Sequence, residues 1–217
     1  MYKIISRQLI FVLFALTAIT YFNCDDSGIV NSTNTQFCIS GKLADWIPGD
    51  KILYANILGH GKYIKPECTV DNAGNFNLCL PDLADSMLYA EDSVFIGSCP
   101  HQYVVFNPND ARGNQIFNFR VKQNESIVGA VAYDSYKGFH DSIKVGDFEA
   151  EYIYANKQVT MSGYSNCANG DTSFFNGTAS KGWNKVIKHY TRIGTNNKSV
   201  LYDLNEPPGG VWRYHGD

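Results

Sequence analysis

The fold class is decided by the stretch Gln115-Ile116-Phe117-Asn118-Phe119-Arg120-Val121-Lys122-Gln123. Within it, Phe117, Phe119 and Val121 alternate with polar residues. Successive side chains of a β-strand point to opposite faces of a sheet, so this period of two predicts a strand with its apolar set on one face.

Runs rich in Val, Ile, Thr, Tyr and Phe recur on both sides of this stretch, with Gly, Asn, Asp and Pro between them. These runs are Phe37–Leu43, Lys51–Leu58, Asn75–Leu80, Ser93–Cys99, Ile127–Tyr133, Phe148–Ala155, Gln158–Ser165, Thr172–Thr178, Trp183–Ile193 and Ser199–Leu204. Only Leu83–Glu91 has the composition of a short helix. Short strands with turn residues and no intervening helices predict an all-β fold, an antiparallel β-sandwich.

The densest cluster of turn-forming residues lies at 107–114. It predicts two tandem sandwich-like units, 37–106 and 115–217, each of ordinary domain size. A single larger sandwich is the alternative, and the spacing of the strands does not choose between them.

The composition is that of a globular protein, with 44% hydrophobic residues, 14 Tyr, 13 Phe and 3 Trp. Global disorder is excluded, because a disordered chain carries fewer large apolar residues. The sequence has 18 basic and 21 acidic residues and therefore no excess of positive charge to bind a polyanion. No nucleic-acid partner is expected.

The amino terminus predicts export. Lys3 and Arg7 precede a 14-residue apolar run at 9–22, which is shorter than the ~20 residues of a membrane-spanning helix and typical of a signal peptide. We therefore interpret residues 1–23 as a signal peptide, with a short uncleaved anchor as the alternative. The polar residues 24–36 read as a flexible tether.

Cys24 stands directly after the apolar run, in Tyr21-Phe22-Asn23-Cys24. This placement resembles the lipobox of bacterial lipoproteins. The resemblance implies that Cys24 is the lipid attachment site and that the protein is held in the bacterial cell envelope, at the outer membrane or cell surface. Plain secretion is the alternative.

A second resemblance is carried by Ile39–Leu43 and Thr69–Pro81, where a glycine-bearing turn at Gly74 leads into an alternating strand. Residues 39–81 resemble the carboxypeptidase-regulatory-like β-sandwich of bacterial surface proteins. The resemblance implies a β-sandwich unit exposed on the bacterial surface.

Six cysteines occur, at positions 24, 38, 68, 79, 99 and 167, and none forms a C-x-x-C motif. If the turn between Cys68 and Cys79 is centred between Ala73 and Gly74, these two cysteines lie opposite each other on one sheet face. A Cys68–Cys79 disulfide is therefore one expectation, and two reduced, packed cysteines are the other.

The sequence carries none of the common catalytic or nucleotide-binding motifs, and its five histidines have no metal-ligand spacing. Neither a metal nor a cofactor is expected. Glu149 and Glu151 share a sheet face, an arrangement compatible with the two acids of a glycosidase, but a solvated face explains them more simply.

Aromatic residues in predicted turns are the only hint of a ligand. Trp46, Tyr136 and Phe139 lie beside Pro, Gly, Asp and Lys residues, and flat rings next to carboxylates and amides commonly hold sugars. A glycan or an envelope protein is therefore the expected partner.

The sequence thus predicts a non-enzymatic, lipid-anchored cell-envelope β-sandwich protein with a structural or accessory binding role. A carbohydrate- or peptide-binding module of a surface uptake or adhesion system is the second interpretation. A secreted hydrolase using Glu149 or Glu151 is the third.

Overall fold

The computed structural model describes residues 36–90, 103–136 and 143–216. They form fifteen strands: β1 (Phe37–Ala44), β2 (Lys51–Gly59), β3 (Lys62–Ile64), β4 (Glu67–Val70), β5 (Asn75–Leu80), β6 (Tyr89–Ala90), β7 (Tyr103–Asn107), β8 (Arg112–Gln123), β9 (Ser126–Asp134), β10 (Phe148–Ala155), β11 (Val159–Asn166), β12 (Thr172–Ala179), β13 (Gly182–Ile193), β14 (Lys198–Asp203) and β15 (Val211–Gly216). The all-β prediction is confirmed.

The described residues contain one helical turn, a 3-10 helix at Asp85–Met87 within the segment considered for a helix. The expected strand Ser93–Cys99 lies outside the described residues. Pairing is mostly antiparallel, as expected, and parallel between β1 and β15 and between β12 and β14.

The strands form a mixed sheet in the order β5-β1-β15-β9-β8-β10-β13-β14-β12-β11-β7, and β2 adds to β8. Strand β8 is the branch point. Its first residues pair with β10, its last residues pair with β9, and its other edge pairs with β2.

The β8–β9 hairpin turns through Asn124 and Glu125, which have φ of 48° and 65°. Two successive left-handed residues fit the right-handed twist of the strands they join. This turn sets Gln123 opposite Ser126 and so fixes the register of the hairpin.

The apolar residues form two cores. The first is built mainly from β1, β2, β5, β8 and β15, and the second from β10 to β14. Strand β10 contributes to both, because Tyr152 and Tyr154 pack in the first core while Ile153 and Ala155 pack in the second. A strand buried on both faces has little solvated surface for polar side chains.

The turn-rich segment 107–114 does not separate two sheets. Strands expected in different units pair with one another, β1 with β15, β2 with β8 and β7 with β11. Residues 36–217 form one compact unit, which agrees with the single larger sandwich rather than with the tandem division.

Candidate functional site

The candidate site is built around the exposed ring of Phe117. The register between β2 and β8 shifts between Asn56 and Ile57, which leaves Phe117 as an extra residue in a β-bulge. A bulge changes the direction in which its side chain points. The Phe117 side chain is 73% exposed, and the exposed side chains of Tyr63 and Leu58 line the same cavity. Together they form an apolar patch, which is the kind of exposed surface that marks binding sites.

The exposure of Phe117 contradicts the prediction that Phe117, Phe119 and Val121 share one apolar face. Phe119 and Val121 are buried in the first core, as the alternation predicts. Phe117 is not buried with them, because it is the extra residue of the bulge and the alternation of faces is interrupted there.

Amide and basic side chains line the cavities beside the Phe117 ring. Asn56 Nδ2 donates a hydrogen bond to Asn118 Oδ1 at 2.6 Å, which leaves Asn56 Oδ1 as an acceptor and Asn118 Nδ2 as a donor. Arg120 lies on the same face, two residues beyond Asn118. We call the surface formed by these side chains the Phe117 face; its members are Asn56, Leu58, Tyr63, Lys65, Phe117, Asn118 and Arg120.

One cavity of about 430 Å³ lies on the β2 side of the Phe117 ring. Phe117 and Tyr63 line it with their rings, together with Leu58, Lys65 and the Asn56–Asn118 amides. The Tyr63 side chain is 66% exposed, so both rings are available to a ligand.

A second cavity of about 440 Å³ lies on the other side of the ring. It occupies the place where β8 leaves β10 and begins to pair with β9. Its lining combines aromatic, amide and charged side chains, among them Gln115, Phe117, Asn118, Arg120, Tyr133, Glu151, Tyr152 and Tyr202.

Glu149 and Glu151 are brought together by Lys188. Lys188 Nζ lies 2.6 Å from Glu149 Oε1 and 3.5 Å from Glu151 Oε1. The hydroxyls of Tyr136 and Tyr190 also donate to Glu149. The interpretation of two solvated carboxylates is therefore wrong for Glu149, whose side chain is 18% exposed and has internal partners. The Glu151 side chain is 34% exposed and lines the cavity between β8, β9 and β10.

The two carboxyl groups differ in their electrostatics. Burial favours a higher pKa for Glu149, but Lys188 and the two tyrosine hydroxyls outweigh it, so the pKa of Glu149 is lowered. Burial dominates at Glu151 and raises its pKa despite Lys188. Glu149 is thus held ionised by internal partners, and its oxygens are engaged within the protein.

A neighbouring ion pair joins β9 to β15. Arg213 Nε donates to Asp134 Oδ1 and to the Tyr136 carbonyl, both at 2.9 Å. Burial raises the pKa of Asp134 in spite of this partner. The pair links the end of β9 to the segment that carries Tyr136, which is a structural role.

Two of the three expected ligand-binding aromatics are packed. Tyr136 is only 9% exposed and lies in the second core. Trp46 packs against the first core, with its ring 5.1 Å from that of Tyr214 and Lys51 Nζ 4.8 Å from its centroid. Phe139 lies outside the described residues. The expected platform at Trp46 and Tyr136 is therefore wrong, because Tyr136 fills the second core and Trp46 is partly buried against the first.

The expected Cys68–Cys79 disulfide is also corrected. Cys79 is bonded to Cys38, its direct neighbour across β1 and β5, with a Cα separation of 4.0 Å. Cys68 is a free thiol, and burial raises its pKa. The turn is closed by Asp71 N–H donating to the Asn75 carbonyl, a one-residue shift that places Cys68 and Cys79 on opposite faces.

The structure bears differently on Cys167 and Cys24. Cys167 is disulfide-bonded. Cys24, the expected lipid attachment site, lies outside the described residues, so lipidation remains a prediction.

Comparison with protein-family models, with curated proteins and with solved structures finds no match for this chain. Among the described residues, no group of three or more His, Cys, Asp and Glu side chains is placed to hold a metal ion. Over the same ranges, no helix has the length and apolar character needed to cross a membrane.

The members of the Phe117 face were not singled out from the sequence. Nothing in the sequence distinguishes Asn56, Tyr63 and Asn118 from other strand residues. The alternation predicts that Phe117 is a core residue. A bulge depends on how two distant strands pair, so a single sequence carries little signal for it.

Proposed function

We propose that this protein is an exported, non-enzymatic β-sandwich protein, anchored to the bacterial cell envelope through a lipid on Cys24, whose body binds a carbohydrate at the Phe117 face. The exposed Phe117 ring, set by a bulge between two cavities, is the observation that carries the binding role. The charged amino-terminal segment, the apolar run and Cys24 support export and anchoring.

The chemistry of the Phe117 face suits a sugar. A pyranose ring has an apolar face of C–H groups and a rim of hydroxyls. The C–H groups pack against the electron-rich face of an aromatic ring such as Phe117 or Tyr63. The free acceptor of Asn56 and the free donor of Asn118 are suited to the hydroxyl rim.

A hydrolase fits the same residues less well. A glycosidase places two carboxyl groups on opposite sides of the scissile bond, with one free to give or take a proton. Glu149 and Glu151 share one Lys188, and Glu149 is also bonded to two tyrosine hydroxyls. These contacts favour a structural ion-pair cluster over a catalytic pair.

A glycan array tests the binding role. The compact unit, residues 36–217, should bind at least one glycan class, and Phe117→Ala should reduce that binding by tenfold or more. Phe174→Ala is the matched control, because Phe174 is also exposed, at 43%, but lies on β12. Unchanged binding in Phe117→Ala, or the same loss in Phe174→Ala, would reject this site.

A further inference from the structure

We propose that the carbohydrate bound at the Phe117 face is acidic, and that Lys65 and Arg120 recognise its carboxylate groups. This inference rests on the proposed carbohydrate binding and names the ligand class of the same site. It is drawn from the charges that flank Phe117 and from the partners that those charges lack.

Lys65 and Arg120 form no salt bridge with any acidic residue in the described parts of the chain. Lys122, the next basic residue on the same strand face as Arg120, behaves differently, since its Nζ lies 3.1 Å from Glu67 and 3.8 Å from Glu125. Glu67, which is opposite Tyr54 on β4, and Glu125 in the β8–β9 turn are thus bonded to Lys122. Lys65 and Arg120 are left to attract an anion.

The register of the strands places the two cations on either side of the amide pair. Ile64 is opposite Ile57, so the next residue, Lys65, lies level with Asn56. Arg120 is opposite Tyr54, one row further along β2. Two strand spacings separate Lys65 from β8, about 10 Å, and Lys65 Nζ lies 5.6 Å from the centroid of the Tyr54 ring.

Each cation also lines one of the two cavities beside Phe117. Lys65 lines the cavity that contains Tyr63, and Arg120 lines the cavity between β8, β9 and β10. A chain of sugar units packed on the Phe117 ring would therefore meet a cation in either direction. Arg can bind a carboxylate through two parallel N–H bonds, whereas Lys acts as a point charge.

The only acidic side chain lining either cavity, among the described residues, is Glu151. It lies on β10, whereas Arg120 lies on β8, and it shares Lys188 with Glu149. The chain as a whole carries a net charge of −3, so an unpaired basic pair beside an exposed ring is a local feature rather than part of a general basic surface.

The test uses the purified full chain in detergent and a panel of hexuronate tetramers, made of galacturonate, mannuronate or glucuronate. Each acid is paired with its methyl ester, which keeps the sugar backbone but removes the charge. At least one acid should bind about tenfold or more tightly than its ester, and the preference should weaken as NaCl is raised.

Variants assign the preference to the two cations. Lys65→Ala and Arg120→Ala should each lose about tenfold in affinity for the acid and little for the ester, and Arg120→Lys should lose less than Arg120→Ala. Lys181→Ala, which removes an exposed lysine in the β12–β13 turn, is the matched control. Circular dichroism verifies that each variant is folded.

The outcomes separate this inference from the binding role. If Phe117→Ala abolishes glycan binding while acid and ester bind equally well, the site is a carbohydrate site but the acidic ligand is wrong. If Phe117→Ala changes nothing, the proposed function fails as well. Equal binding of poly-L-glutamate would show a general anion surface and overturn the acidic-sugar assignment.

Discussion

Glu149 and Lys188 lie directly opposite each other on β10 and β13, with Lys188 Nζ 2.6 Å from Glu149 Oε1. Both side chains are largely buried, with 18% and 15% of their surfaces exposed. A partly buried pair of this kind stabilises a fold only when its remaining hydrogen-bonding capacity is satisfied. Tyr136 and Tyr190 provide this at Glu149, whereas Glu151 has only the longer contact to Lys188.

We expect Glu149→Gln to lower the free energy of unfolding at pH 7 by about 2–4 kcal/mol, because it removes a charge that three partners hold in place. Glu151→Gln should change it by less than about 1 kcal/mol, since that carboxyl group is weakly paired. Urea denaturation of the two variants measures the difference. Equal losses would show that the two carboxyl groups share Lys188 evenly.

The pH dependence of the two variants should have opposite signs. The pKa of Glu149 is lowered from its ordinary 4.5, so its stabilisation is present above pH 4.5 and is lost as the pH falls through the folded-state pKa. The pKa of Glu151 is raised, so its contribution is present below 4.5 and is lost as the pH rises through the folded-state pKa. As the pH rises from 3 to 8, the unfolding free energy of Glu149→Gln should therefore fall further below that of the parent protein. The unfolding free energy of Glu151→Gln should rise relative to that of the parent protein over the same range. Parallel profiles would contradict this assignment.

The fold class could be read from the sequence because alternation and turn residues are local signals. Strands at Phe37–Ala44, Asn75–Leu80 and Phe148–Ala155 agree with the expected runs. The partners of these strands could not be read, because pairing between β1 and β15 or between β2 and β8 depends on contacts distant in sequence.

The candidate site was missed for the same reason. The exposure of Phe117 follows from one extra residue between two strands. The ring of Tyr136 is buried in the second core, where its hydroxyl donates to Glu149. At Cys79, a one-residue difference in the turn changes which face the side chain occupies. The first two errors come from tertiary contacts that local patterns do not encode, whereas the third comes from the geometry of one turn.

The disulfide prediction concerns Cys38 and Cys79, which are 41 residues apart in sequence. A loop of that length corresponds to about 4 kcal/mol of loop-closure entropy. Cys38→Ser combined with Cys79→Ser should therefore lower the free energy of unfolding by several kcal/mol, approaching this value. Cys68→Ser should cost about 1 kcal/mol or less, because that thiol is only half-buried. A larger effect at Cys68 would contradict the observed pairing.

The anchoring prediction concerns Cys24. Cys24→Ala should move the protein from the membrane fraction to the soluble exported fraction and abolish palmitate labelling, because the thiol that would carry the lipid is gone. Cys68→Ala is the control and should leave both unchanged. An unlabelled parent protein with an unmodified amino terminus would support plain secretion instead.

The β8–β9 turn offers a stabilising change. Glu125 adopts a φ of 65°, which costs energy for a residue with a side chain and none for glycine. Its contact with Lys122, at 3.8 Å, is an exposed ion pair and contributes little. Relief of about 1–2 kcal/mol of left-handed backbone strain should exceed the roughly 0.4–1 kcal/mol lost because glycine makes the unfolded chain more flexible. Glu125→Gly should therefore raise the free energy of unfolding by about 0.5–1 kcal/mol. A decrease in the melting temperature would show that the ion pair outweighs the backbone strain.

The bulge makes opposite predictions for two neighbouring phenylalanines. Phe119 is 8% exposed and packs in the first core, so Phe119→Ala should cost about 3–5 kcal/mol of unfolding free energy. Phe117 is exposed, so Phe117→Ala should change stability by less than about 0.5 kcal/mol while reducing glycan binding. An uninterrupted alternation would instead place both rings in the core and make both substitutions costly. Measuring the two unfolding free energies side by side therefore tests the register on which the candidate site depends.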